Sequence, residues 1–119
     1  MAKTEKDVLW MGSSRKDIRE FPEEVREVFG VAIYFAQLGG KHPQATPMKR
    51  HKGAGVLEVI EDYNKDTYRC MYTVRYGNKI YILHAFQKKA KKGIATPKGD
   101  IEVIKSRLRE VKKLEGVKS

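Results

Sequence analysis

The stretch Tyr68 to Lys92, YRCMYTVRYGNKIYILHAFQKKAKK, constrains this chain more than any other. Two runs rich in β-branched and aromatic residues flank Gly77-Asn78, the signal for a two-residue hairpin loop whose central residues need positive φ. With that loop Tyr76 faces Lys79, and the register then pairs Val74 with Tyr81, Tyr72 with Leu83 and Cys70 with Ala85 on an apolar face. Side chains alternate along a strand, so the other face carries Arg75 with Ile80, Thr73 with Ile82, Met71 with His84 and Arg69 with Phe86. Arg69, His84 and Phe86 are therefore expected to share one surface, which Lys88 extends if the strand persists that far.

Around this hairpin the chain alternates in type. Val8 to Met11 read as a first strand ended by Gly12, and Ser14 with Asp17 resembles a capping box for a short helix that turns Ile18 and Phe21 inward. Pro22, Glu23 and Glu24 suit the start of a second helix, since proline lacks an amide that would go unpaired there and the acids complement the dipole. Val25, Val28, Phe29, Ala32, Ile33 and Ala36 form its apolar stripe, ending at Gly39-Gly40. Lys41 to Gly55 reads as a basic loop without an acid, and Val56 to Glu61 as a strand leading through the polar turn Asp62 to Asp66 into the hairpin. Thr96-Pro97 offers a cap and first residue for a last helix with Ile101, Ile104, Leu108 and Val111 on one side, while Gly116 to Ser119 read as a frayed tail. The expected order is β-α-α-β-β-β-α, an α+β domain with an antiparallel sheet packed against helices.

A chain of 119 residues can bury one core, roughly 65% of its unfolded surface, so residues 1–119 are expected to be one domain. No apolar run approaches a membrane span, and MAKTEKDVLW has no apolar signal-peptide centre. The single cysteine, Cys70, can form neither an internal disulfide nor a multi-cysteine zinc site, which fits a reducing cytoplasm. A net charge of +10 and a pI near 9.7 call for an acidic partner, nucleic acid first and an acidic protein second.

Leu57-Glu58-Val59 after a basic loop, Tyr68-Arg69 followed by Tyr72, Leu83-His84-Ala85-Phe86, and Phe86-x-Lys88-Lys89 leading to Thr96-Pro97 and a helix containing Arg107 together resemble the RelE/ParE superfamily of bacterial toxins, nearest the HigB-like, phage-associated branch. Ala90 stands where the commonest pattern has threonine, and Lys92 to Ala95 lengthen the link to Thr96. The resemblance implies a RelE-like domain acting as a toxin, neutralised by an adjacently encoded antitoxin of helix-turn-helix type. It implies ribosome-dependent cleavage of messenger RNA without metal or other cofactor; ParE-like relatives instead poison DNA gyrase, and a non-catalytic nucleic-acid-binding protein is the other alternative.

RNA is cleaved when its own 2′-hydroxyl attacks the adjacent phosphate, which needs alignment, charge stabilisation and proton transfer. Arg69 can grip two phosphate oxygens, His84 can move a proton near neutral pH, and Lys88 adds a cation, making these three the expected catalytic residues. Lys89, Lys91 and Lys92 are expected to contact phosphate, with Lys49, Arg50, His51 and Lys52 closing from the preceding loop. Phe86 could stack on a base, though packing with an exposed edge is the plainer expectation. Tyr68 and Tyr72 fall on the apolar face and read as core residues, although tyrosine serves catalysis in some relatives of the superfamily. Glu61, Asp62 and Asp66 flank a turn where acids are expected anyway, so no metal site is assigned.

Overall fold

The computed structural model describes residues 5–48, 55–88 and 96–117. Lys49, Arg50, His51, Lys52, Lys89, Lys91 and Lys92 lie outside them. The order is β1 (Asp7–Trp10), α1 (Ser14–Arg19), α2 (Glu23–Gln37), β2 (Ala45–Pro47), β3 (Val56–Tyr63), β4 (Asp66–Tyr76), β5 (Lys79–Lys88) and α3 (Lys98–Leu114). The sheet runs β1-β5-β4-β3-β2.

Two expectations about the sheet are corrected. It is mixed rather than antiparallel, because β1 lies parallel to β5, with Val8 opposite Ile80. Hairpins dictate the directions of their own strands, whereas β1 meets a partner far along the chain, and no local signal reports that direction. A short β2 also interrupts the expected basic loop, pairing with β3 through Ala45 and Val59. Pro47 is tolerated there because β2 is an edge strand and needs no second ladder of amides.

The central hairpin turns at Gly77, whose φ is 59°, while Asn78 keeps a negative φ, the pattern of a II′ turn. Arg69 pairs with Phe86 and Met71 with His84, as the register predicts, but between them Tyr72 pairs with Ile82 and Thr73 with Tyr81. Two offsetting bulges cause this, one extra residue on β4 between Thr73 and Tyr76 and one on β5 between Ile82 and His84. Ile80 and Ile82 consequently face α1 and α2 together with Cys70 and Tyr72, while Tyr81 and Leu83 face α3 together with Met71, the reverse of the alternation drawn from the turn alone.

Helices cover both faces, so β5 is apolar on both of its sides, as a doubly buried strand must be. On one side Val25, Phe29, Ala32, Ile33 and Ala36 of α2 pack on Val59, Tyr68, Cys70 and Tyr72. On the other, Ile101, Ile104, Leu108 and Val111 pin α3 to Val56, Met71, Tyr81 and Leu83. Each buried Val, Ile, Leu or Phe among them contributes roughly 2 kcal/mol of burial free energy, and the two alanines less, which makes these two stripes the main hold on the helices. The outer side of α2 leaves Val31, Tyr34, Phe35 and Leu38 exposed.

Helix starts differ from expectation by one residue. Ser13, not Ser14, precedes α1 and its hydroxyl donates to Asp17 Oδ2 at 2.7 Å, while Ser14 is buried and donates to the Ile82 carbonyl. Pro22 and Pro97 are N-cap residues with extended ψ of 149° and 151°, rather than first helical residues. No helix among the described residues is long and apolar enough to cross a membrane.

Candidate functional site

Arg69 leaves the middle of β4 on the side that α3 covers. Ile60 is its partner on β3 and Glu58 pairs with Met71, so Glu58 and Arg69 are diagonal neighbours on one face. Their side chains meet at 3.0 Å, and the same Arg69 nitrogen donates to the Thr96 hydroxyl at 3.3 Å, just before α3 begins. The open, solvated face expected for Arg69 is therefore corrected: Arg69 is 7% exposed and Glu58 8%. The reason is α3, which packs over this side of the sheet and which strand alternation alone does not reveal. A guanidinium so enclosed is costly to desolvate, and the Glu58 carboxylate offsets part of that cost.

His84, 8% exposed, stands on the same face in β5. Its Nε2 lies 2.7 Å from Asp100 Oδ1 in the first turn of α3, and its Nδ1 lies 3.4 Å from Arg107 Nη1. Arginine can only donate, so the nitrogen facing it must present a lone pair, and the proton belongs on Nε2, where the carboxylate accepts it. Phe86 stacks on the imidazole with ring centres 5.2 Å apart and 24° between planes, and remains half-buried. The strand does persist to Lys88, which pairs with Thr67 and is half-buried. Alternation carries it onto the face of Phe86. The structure thus brings Arg69, His84, Phe86 and Lys88 to one side of the sheet.

Other groups of the site escaped the sequence reading as chemistry. Glu58 interrupts an apolar run, Leu57 to Ile60, and entered otherwise only as the middle of the Leu57-Glu58-Val59 pattern, without a chemical role. Asp100 reads as an ordinary dipole-complementing acid in a first helical turn, and nothing in its spacing points to His84. Arg107 entered only as part of the family pattern, and its nitrogen also donates to the Leu83 carbonyl at 2.9 Å.

The remaining candidates have structural employment. Glu61 accepts from Gln44, Asp62 from Thr67 and Asp66 from Gln87, and no group of His, Cys, Asp and Glu among the described residues is arranged to hold a metal ion. Tyr68 packs edge-on against Phe21 at 5.0 Å, in keeping with a core role. Burial pushes the Cys70 thiol up to about 12, so it is no nucleophile at neutral pH. Burial, with a smaller contribution from Cys70, likewise raises the Tyr72 phenol to about 12, and its hydroxyl finds no hydrogen-bond partner among the described residues.

Fold and site together define a small α+β domain in which a mixed sheet carries a polar Arg-Glu and His-Asp cluster beneath its last helix. The sequence profile of the family described as "Phage derived protein Gp49-like" matches residues 16–109, from α1 through most of α3, and the chain belongs to that family. Among solved structures, the toxin-antitoxin complex RelBE2 from Mycobacterium tuberculosis is similar over 74% of this chain and 97% of that one, at 17% identity and a TM-score of 0.42. No curated protein matches the chain significantly.

Proposed function

We propose that this chain is the toxin of a toxin-antitoxin pair, of the HigB-like kind, and that it cuts messenger RNA on the ribosome. The observation that carries the reading is the Asp100-His84 pair at 2.7 Å on the face that also bears Arg69. Asp100 accepts Nε2–H and so leaves a basic lone pair on Nδ1, the division of roles that an orienting carboxylate gives a histidine base. In the proposed reaction Nδ1 takes the proton of the 2′-hydroxyl as the oxygen bonds to phosphorus. Arg69 stabilises the charge that builds on the phosphoryl oxygens, and the Lys88 ammonium gives a proton to the 5′-oxygen as its bond to phosphorus breaks. The products are a cyclic phosphate and a free 5′-hydroxyl; the nucleophile comes from the RNA, so side chains suffice for the chemistry.

Membership in a phage-derived family and the motif resemblance to the HigB-like branch support the toxin role. Its partners in this reading are messenger RNA in the ribosome and an adjacently encoded helix-turn-helix antitoxin, and it works in the cytoplasm. Lys49, Arg50, His51, Lys52, Lys89, Lys91 and Lys92 are the proposed phosphate contacts, with Phe86 stacking on a base.

One observation favours a second reading. Arg69 is committed to Glu58, and both ring nitrogens of His84 face partners, as in a purely structural cluster. That arrangement fits a non-catalytic nucleic-acid-binding protein or a gyrase inhibitor. Induction of the chain alone in bacteria, followed by mapping of message ends and of DNA breaks, separates these. Growth arrest with cuts inside translated regions is expected. Arrest with intact messages and double-strand DNA breaks would transfer the reading to gyrase, and normal growth despite soluble protein would remove the toxin role.

A further inference from the structure

The imidazole of His84 is held from two sides by the same helix, yet only one of the two contacts is strong. Asp100 approaches Nε2 at 2.7 Å, the distance of a charge-assisted bond, whereas Arg107 stands 3.4 Å from Nδ1, at the limit of hydrogen bonding. The same Arg107 nitrogen makes its shorter bond, 2.9 Å, to the Leu83 carbonyl. What lets the guanidinium lie there is Gly12, between β1 and α1. A Cβ on Gly12 would sit 2.4 Å from Arg107 Nη2 and 2.5 Å from Cζ, closer than side-chain atoms ever come. Gly12 also adopts φ of 52°, where a glycine is at no disadvantage. Alongside, an open groove of about 350 Å³ lined by Glu102, Val103, Ser106 and Arg107 gives solvent access to the cation.

From this geometry we infer that Arg107 is a latch on His84, which covers the basic Nδ1 until a phosphate group draws the guanidinium away. A phosphate oxygen offers arginine a short, charge-assisted and bidentate bond, against which a 3.4 Å contact to a neutral nitrogen competes poorly. The released Nδ1 is the lone pair that the cleavage chemistry requires, so the base becomes available only when polyanion is bound. Asp100 keeps the proton on Nε2 in both states. Gly12 acts through Arg107 by leaving room for it, and Arg107 is a positioning residue for His84 before it touches substrate. The consequence for cleavage rests on the RNA reading above, whereas the state of the imidazole does not.

Nitrogen-15 NMR of the His84 ring in the full chain tests this without reference to activity. In the wild type, Nε2 should be of the protonated type and Nδ1 of the lone-pair type, shifted upfield by the donor facing it. Arg107→Leu should move the Nδ1 resonance downfield, and so should Gly12→Asn, which tolerates the positive φ but puts a Cβ against the guanidinium. Saturating wild type with a 2′-O-methyl oligoribonucleotide, which cannot be cleaved, should do the same, and Arg107→Lys should fall between wild type and Leu. Where cleavage is measured, Arg107→Leu should lose about tenfold in kcat/KM, carried by KM, the loss of one hydrogen bond to a charged group of about 1.4 kcal/mol. Protonated Nδ1 in the wild type, an Nδ1 resonance that neither variant moves, or one that the oligonucleotide leaves in place while bound would overturn the latch. Absence of cleavage with the NMR shifts as expected would instead remove the nuclease reading and leave the latch standing.

Discussion

Glu58 on β3 and Arg69 on β4 form a diagonal ion pair at 3.0 Å beneath α3, with side chains only 11% and 9% exposed. A pair so enclosed behaves unlike a surface salt bridge. Removing one member leaves the other charged and buried without its ion-pair partner, while removing both takes the charges out of the interface altogether.

Arg69→Ala is therefore expected to destabilise the fold by about 3 kcal/mol, and Glu58→Leu to cost a comparable amount. The double variant Glu58→Leu with Arg69→Met should be markedly more stable than the sum of the single losses. Urea unfolding of the four proteins measures the coupling; strict additivity of the two single effects would mean that the ion pair is not closed in solution. Any cleavage assay of Arg69→Ala must run well below its lowered melting temperature.

Asp100→Asn replaces an acceptor by a group that can donate to His84 and so favours the wrong tautomer. A general base contributes on the order of a hundredfold or more, so single-turnover cleavage of a ribosome-bound message should fall by about that factor with little change in melting temperature. Asp100 is only half-buried, and Asn keeps its shape. Wild-type cleavage by Asp100→Asn would remove His84 as the base.

Stability should decline in alkali. Cys70, Tyr72 and Tyr81 all have folded-state pKa values raised to about 12, against ordinary values of 9.0 for the thiol and 10.0 for the phenols. Burial is the first cause in each, and the Glu115 carboxylate that accepts the Tyr81 hydroxyl adds to it. A raised pKa means the folded chain keeps its protons where the unfolded chain releases them, so this stabilisation is complete below about pH 9 and is lost as pH rises towards 12. Denaturation at pH 8 and pH 11 measures the slope. Tyr72→Phe should flatten it and, by removing a buried hydroxyl without a partner among the described residues, should raise stability at pH 8 by about 1 kcal/mol.

Binding to RNA should weaken steeply with salt, with a logarithmic slope of roughly −0.7 for each phosphate neutralised on a single strand. Replacing Lys91 and Lys92 together by Gln should reduce that slope by about the contribution of two phosphates, while the melting temperature stays within error. An unchanged slope in the double variant would mean that neither lysine meets phosphate.

Much of this architecture was legible without a structure. The stripes Val25-Phe29-Ala32-Ile33-Ala36 and Ile101-Ile104-Leu108-Val111 recur at helical spacing and are the residues that the two helices bury. The turn at Gly77 pairs Tyr76 with Lys79, as a two-residue hairpin loop dictates at its ends, and Arg69 still meets Phe86 and Met71 still meets His84 because the two bulges between cancel. Local covalent geometry and periodicity act within a few residues, and these features need nothing longer.

Tertiary structure alone decided the rest. Two bulges that cancel are invisible in an alternation pattern whose residues are apolar on both sides, so Ile80 and Ile82 exchanged faces with Tyr81 and Leu83 unannounced. The direction of β1, the closure of α3 over Arg69, and the approach of Asp100 and Arg107 to His84 join residues distant in the chain. Each depends on how much apolar surface the whole domain can bury at once, a quantity that no short segment contains, and it turned an expected open cationic face into an enclosed one.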